Sequence, residues 1–328
     1  MAERPSVLVT RALLPSVMEA LRERAEVDVY QGEGAIPRED LLKRVQGVDG
    51  ALTILTERVD AEFLDAAGPG LKIVANHAVG YDNIDVPEAT RRGVPVSNTP
   101  DVLTETTADL AWALLLAAAR RIPEGDRFLR SRTPWIWDPQ MMLGMDVYGK
   151  TLGVVGFGRI GKAVARRASG FGMRVIYSNA SGPREAPGIE AEFREFGDLL
   201  READFISINC ALNESTRHLF GEKQFRAMKP TAILVNTSRG PVVDEAALAK
   251  ALREGEIFGA GIDVFEREPE VHPDLLQAEN AAIIPHLGSA TVDTREAMGM
   301  LAAENLFAAF EGRRPPTLIN PEVWKSSD

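Results

Sequence analysis

The chain has 328 residues, of which 45% are hydrophobic and 26% charged, with a formal net charge of -11 and a single cysteine. That length allows two domains, each with its own core, and the acidic balance argues against nucleic acid or an anionic membrane as a partner. Cys210 alone excludes an internal disulfide and a thiolate-held metal. The longest apolar helical pattern, residues 110–119, is too short to span a bilayer, and the N-terminus runs into a strand without a signal-peptide core. A cytoplasmic protein is expected. Residues 6–10 read as a strand, 15–24 as an amphipathic helix and 27–30 as a second strand, followed by a helix opening at Pro37. Strands at 50–55, 72–76 and 94–97 alternate with helices at 60–67 and 86–92. Such alternation predicts a parallel, doubly wound α/β sheet. This first series has no glycine-rich phosphate loop.

Residues 100–121 read as one long helix, apolar on several faces, as expected of a helix buried between layers or subunits. Residues 121–148 then break the rhythm with Pro123, Pro134, Trp135, Trp137 and Pro139. So long an irregular stretch points to a functional segment or an interface arm. A second α/β series follows, with strands at 152–156, 173–178, 205–209, 232–236, 259–263 and 282–285. Its helices are expected at 160–170, 196–202, 222–228 and 244–253. The final helix, 294–311, is expected to return to the first domain.

The second series opens on Thr151-Leu-Gly-Val-Val-Gly-Phe-Gly-Arg-Ile-Gly161, with Gly156, Gly158 and Gly161 at G-x-G-x-x-G spacing between a strand and a helix. The first glycine permits the turn, the second lets a pyrophosphate approach the backbone, and the third lets helix and strand pack closely. The helix N-terminus then faces the phosphates with free N–H groups. The motif predicts a Rossmann dinucleotide site that includes Phe157, Arg159 and Ile160. NAD-preferring sites place an acid on the ribose 2′-hydroxyl at the end of the next strand. Here that strand ends at Ser178 and Asn179, with Ser181 and Arg184 beyond and no carboxylate at the edge. NADP(H) is therefore expected in preference to NAD(H).

Five stretches, the glycine turn among them, carry a family resemblance: Ala78-Val-Gly-Tyr-Asp-Asn-Ile-Asp85, Gly149–Gly161, Asn236-Thr-Ser-Arg-Gly240, Gly261-Ile-Asp-Val-Phe-Glu-Arg-Glu-Pro269 and Pro285-His-Leu-Gly-Ser-Ala-Thr291. With these in order, the chain resembles the D-isomer-specific 2-hydroxyacid dehydrogenases, most of all their glyoxylate/hydroxypyruvate reductase branch. The resemblance implies a discontinuous flavodoxin-like substrate domain, residues 1–99 and 289–328. It also implies a Rossmann dinucleotide domain, 100–288, with a dimerisation arm at about 121–149. The implied activity is NAD(P)H-dependent reduction of small 2-oxo acids by a homodimer. Arg239 matches the substrate arginine, whose planar fork suits two oxygens. His286 matches the proton donor and Glu268 its carboxylate partner, which favours the charged ring.

By the same resemblance Val79 and Gly80 offer backbone N–H groups to the substrate carboxylate, and Leu55 bounds a small pocket. Ser289 and Arg295 join the substrate side, and Trp137 matches a loop that reaches a partner's site. Thr237, Asp263 and Gly288 are expected at the cofactor. His218 and His272 read as structural, His77 carries no assigned chemistry, and no His/Asp/Glu cluster has metal-ligand spacing. Two other readings stay open: a dinucleotide-sensing protein like the corepressors that resemble this family, or a dehydrogenase for D-lactate or 3-phosphoglycerate.

Overall fold

Short runs of β-branched and aliphatic residues build the first sheet: β1 (Ser6–Val9), β2 (Glu26–Val29), β3 (Gly50–Thr53), β4 (Ile73–Asn76) and β5 (Val96–Ser97). Between them lie α1 (Pro15–Arg24), α2 (Arg38–Arg44), α3 (Ala61–Ala67) and α4 (Val86–Arg91). Every residue of β3 and β4 is buried, as expected for parallel strands covered by helices on both faces. The strand order is β2-β1-β3-β4-β5 and all pairings are parallel, so the winding reverses between β1 and β3. The computed structural model describes residues 4–324.

The second sheet follows α5 (Thr104–Ala119) and α6 (Ile122–Arg130). In chain order it runs β6 (Thr151–Val155), α7 (Arg159–Arg167), β7 (Arg174–Ser178), β8 (Glu192–Phe193), α8 (Phe196–Glu202), β9 (Phe205–Ile208) and α9 (Glu222–Ala227). Then come β10 (Ile233–Asn236), α10 (Glu245–Glu254), β11 (Gly259–Ile262), α11 (Pro273–Leu276) and β12 (Ala281–Ile283). The seven strands lie in the order β12-β11-β10-β9-β6-β7-β8, again all parallel, with the reversal between β6 and β9. Ligands of open α/β sheets bind beyond the carboxyl ends of the strands at such a reversal.

The chain divides into two compact units, one running to Leu103 and resuming at Ser289, the other Thr104–Gly288. The last helix, α12 (Val292–Phe310), belongs to the first unit: its Ala302, Leu306 and Phe307 share a core with Val7, Leu21 and Leu52. In the second unit α5 buries Ala108, Ala111, Leu114 and Leu115 against the sheet. Trp112 of the same helix donates to the Val164 carbonyl at 3.0 Å and stacks on Phe171.

The structure corrects several expected boundaries. The long helix begins at Thr104 rather than at residue 100, because Asp101 sits in the left-handed region at φ 69°. It stops at Ala119, and Arg121 is again left-handed, at φ 52°. The stretch 121–148 is not wholly irregular: α6 opens it with Pro123 in its first turn, where a missing N–H costs no helical hydrogen bond. Strands end earlier than the hydrophobic pattern suggests, so β12 stops at Ile283 and His286 stands in a loop. The helix expected over 160–170 tightens into a 3-10 turn at Ala168–Phe171. The two-residue β8 and the single-turn α11 are too short for periodicity to signal. Among the described residues no helix is long and apolar enough to cross a membrane.

Candidate active site

The turn between β6 and α7 has the form its glycines require. Gly156 sits at φ 91°, and a Cβ there would lie 2.5 Å from the Cys210 nitrogen. A Cβ on Gly161 would lie 2.1 Å from the Gly156 carbonyl oxygen, so helix and strand touch backbone to backbone. At Gly158, the N-cap of α7, a Cβ would meet nothing within 4 Å, which leaves an open approach to the helix N-terminus. Arg159 is exposed and Ile160 half-buried at the start of that helix. The Phe157 side chain turns inward and stacks on Tyr177 with centroids 3.9 Å apart, so this residue offers a ligand only its main chain.

At the end of β7 the three polar side chains singled out in the sequence meet. Asn179 Nδ2 donates to Ser181 Oγ at 2.6 Å, and Arg184 Nε donates to the same oxygen at 3.2 Å. The Tyr177 hydroxyl anchors the loop, accepting from the Arg184 N–H at 2.9 Å and donating to its carbonyl at 3.0 Å. Ser178 is buried beside them. The result is a donor-rich, cationic loop end without a carboxylate partner for a ribose hydroxyl.

Buried side-chain oxygens that lack a hydrogen-bond partner mark the same sheet edge. Among the described residues of the second unit they are Asn209 Oδ1, Thr237 Oγ1 and Asp263 Oδ2, one residue beyond β9, β10 and β11 respectively. An unpaired buried oxygen is costly, and a ligand donor would satisfy it. Sequence reasoning misses Asn209, whose place next to the Gly156 turn emerges only from the folded chain. Burial pushes the Asp263 carboxyl up to about 6, against the stabilising N–H of Leu287. Gly288 packs on it: a Cβ there would lie 3.2 Å from Asp263 Oδ2. These residues and the glycine turn suit a dinucleotide, with an open helix terminus for phosphates and orphan acceptors along the strand ends.

The charged residues lie on the next loops. Asn236 shapes the turn that carries Arg239, accepting from the Ser238 N–H at 3.0 Å and donating to the Arg239 carbonyl at 3.0 Å. The half-buried guanidinium caps the Ser238 carbonyl at 2.8 Å. Glu268 accepts from the Phe265 N–H at 3.0 Å, and its other oxygen lies 2.8 Å from His286 Nδ1. A carboxylate only accepts, so Nδ1 carries the hydrogen and Nε2 is left for a ligand. Burial pushes the Glu268 carboxyl up, but the His286 hydrogen bond and charge, the Phe265 N–H and the Arg239 charge outweigh it. The carboxyl is thereby held below its usual range. His286 itself is left-handed at φ 51°, held there by its N–H bond to the Asp263 carbonyl at 2.8 Å. Strain of that kind in a non-glycine residue is characteristic of functional loops.

In the first unit, Leu55 is half-buried in the loop after β3, and Val79 and Gly80 follow β4. Among the described residues neither Val79 nor Gly80 donates its backbone N–H to a protein acceptor. Arg295 lies in the first turn of α12, its carbonyl 3.4 Å from His77 Nε2, and Ser289 stands just before that helix. Burial, with the Arg295 charge nearby, pushes His77 down to about 4. Trp137 is 78% exposed in the arm. His218 pairs with Glu266 at 3.3 Å and His272 caps α11, structural roles in both cases. Among the described residues no group of His, Cys, Asp or Glu could hold a metal ion.

Comparison with known proteins adds a lineage to this geometry. The family model described as D-isomer specific 2-hydroxyacid dehydrogenase, NAD binding domain, matches residues 112–288. A glyoxylate reductase of Thermococcus kodakarensis is 55% identical over 327 residues, 98% of each chain. A crystal structure of a Thermus thermophilus protein superposes with a TM-score of 0.90 at 47% identity, covering 96% of this chain and 99% of that one. The NADPH-dependent glyoxylate/hydroxypyruvate reductase of Sinorhizobium meliloti, solved with NADP and malonate, gives 0.85 at 35% identity, covering 99% and 100%.

Proposed function

This chain belongs to the D-isomer specific 2-hydroxyacid dehydrogenase family, and on that premise we propose that it reduces glyoxylate and hydroxypyruvate to their 2-hydroxy acids with NADPH. The observation that carries the reading is the His286–Glu268 hydrogen bond at a strand edge bordered by unpaired acceptors, with Arg239 in the turn after the neighbouring β10. A bound nicotinamide dinucleotide supplies the hydride. The second unit would hold it, with the N-terminus of α7 for its phosphates and the orphan oxygens of Asn209, Thr237 and Asp263 for its donors. Asn179, Ser181 and Arg184 would receive the 2′-phosphate, since a neutral, cation-flanked edge removes the repulsion an acid would impose.

The chain's own residues do the rest. Arg239 binds the carboxylate and polarises the carbonyl, and a fork of donors serves both oxygens. The backbone N–H groups of Val79 and Gly80, in the substrate unit, take the carboxylate, with Leu55, Ser289 and Arg295 on the same side. His286 gives its proton from Nε2 to the forming alkoxide, while Glu268 holds Nδ1 and the charge of the ring. Reduction therefore needs the imidazolium and fades as pH rises, whereas oxidation of the hydroxy acid gains. The working form is a cytoplasmic homodimer, with Trp135, Ile136 and Trp137 of the arm, exposed by 55%, 83% and 78%, covered by the partner.

A panel of glyoxylate, hydroxypyruvate, pyruvate and phenylpyruvate with NADPH and with NADH tests the reading through loss of reduced-cofactor absorbance. The two small polar acids should lead, and NADPH should lead NADH. Tight cofactor binding without turnover would instead support a sensor. A lead for phenylpyruvate would refute the small pocket. Light scattering after gel filtration should give twice the chain mass; a single-chain mass would refute the dimer.

A further inference from the structure

We propose that Asn98 is the positioning residue that aims the Gly80 N–H at the substrate carboxylate, an inference that rests on the proposed role of the Val79 and Gly80 amides. In a trans peptide the carbonyl and the following N–H point in opposite directions. The Ala78 carbonyl accepts from the Thr99 N–H at 2.8 Å, and the Val79 carbonyl accepts from Asn98 Nδ2 at 2.7 Å. Both carbonyls are thus drawn toward residues 98–99. The N–H groups of Val79 and Gly80 are turned to the opposite side, where neither has a protein acceptor among the described residues. Two such amides make an anion site only while both peptide planes are held. Thr99 holds the first through its backbone, which any residue could supply. The second depends on a side chain.

The backbone that carries that side chain is itself clamped. The Asn98 carbonyl accepts from Thr317 Oγ1 at 2.6 Å. The Thr317 N–H donates to Asn305 Oδ1 at 3.1 Å, and Asn305 Nδ2 donates to Thr317 Oγ1 and to the Leu301 carbonyl, both at 2.8 Å. Asn305 is fully buried on α12. The amide orientation of Asn98 is not ambiguous, because a carbonyl partner accepts only from the NH2 end. On the other side of the loop, Asn76 Nδ2 donates to the Gly80 carbonyl at 3.0 Å. Asn83 Nδ2 donates to the carbonyls of Ile54 at 3.1 Å and Glu57 at 2.9 Å, which ties down the segment carrying Leu55. Asn98 differs from these in acting on the very peptide that presents an anion-binding N–H.

The test uses the full chain. In the wild type, glycine-labelled with 15N and with NADP+ present, titration with oxamate, an unreactive carboxylate analogue, should shift the Gly80 amide resonance. Asn98→Ser should then raise the KM for glyoxylate about tenfold, and Asn98→Asp, whose carboxylate repels the Val79 carbonyl and the substrate, about a hundredfold. The turnover number should change less than threefold, and the KM for NADPH should stay put. No shift of the Gly80 amide in the wild type would overturn the amide anion site itself. A shift there with an unchanged glyoxylate KM in both variants would overturn the role of Asn98 alone. An NADPH affinity that falls along with the glyoxylate affinity would reduce Asn98 to a structural residue.

Discussion

The two parallel sheets share an architecture but carry opposite chemistry at their carboxyl edges. In the first unit β1 passes to α1 without a glycine turn, and the edge is lined by asparagines that fix backbone amides: Asn76, Asn83 and Asn98. In the second unit β6 passes to α7 through Gly156, Gly158 and Gly161, and the edge carries charged side chains and unpaired acceptors. One edge presents N–H groups whose position is set by neutral side chains, suited to hold an anion without titrating. The other presents groups that gain and lose protons. The same doubly wound scaffold serves both, so chemistry here lives in the loops beyond the strands.

The sharpest way to break this contrast is at the proton-transferring edge. His286→Asn should lower the turnover number for reduction by about a thousandfold, within the range expected for a general acid, while NADPH affinity measured by fluorescence stays unchanged. Next comes Arg239→Lys, which keeps the charge but loses the fork; kcat/KM for glyoxylate should fall about a hundredfold in steady-state assays. Asn179→Asp restores a carboxylate at the ribose end and should turn the kcat/KM ratio of NADPH to NADH about tenfold toward NADH. Glu268→Gln tests the pH sign. The wild-type carboxyl stays ionised well below neutrality and favours a protonated ring, so the variant should lose reduction at a lower pH than the wild type. A pH–rate profile superposing on the wild type would remove Glu268 from its role.

The smallest effect belongs to the first unit and is one of stability. His77 is buried and neutral, titrating at about 4 rather than 6.5. The unfolded chain therefore binds the extra proton between those values, and stability is present above pH 6.5 and lost as pH falls toward 4, by up to about 3 kcal/mol. His77→Gln should flatten the decline of the melting temperature over that acid window by a few degrees, seen by calorimetry.

Much of this is legible residue by residue. The Gly156 turn, the absence of an acid after β7, and the Ser-Arg-Gly turn at 239 are local patterns whose conformations are dictated by neighbours in the chain. What local pattern misleads on is punctuation. Pro123 reads as a breaker, yet it opens α6, because a proline in a first turn has no bond to lose. The run before His286 reads as a strand to residue 285, yet pairing with β11 ends at Ile283. Asn98 and Asn209 carry no comparable signal, since nothing nearby in sequence says which distant carbonyl or ligand edge an amide will meet.

The strand–helix rhythm, the phosphate-turn geometry and the residue types available for chemistry are readable along the chain, because each depends on backbone sterics and side-chain period over a few neighbours. That Glu268 lies 2.8 Å from His286, and that Asn98 grips Val79, follows from long-range folding. So does the place of α12 in the core of a sheet completed far earlier in the chain. Those pairings follow from strand order and from the reversal of winding in each sheet, which join residues far apart along the chain.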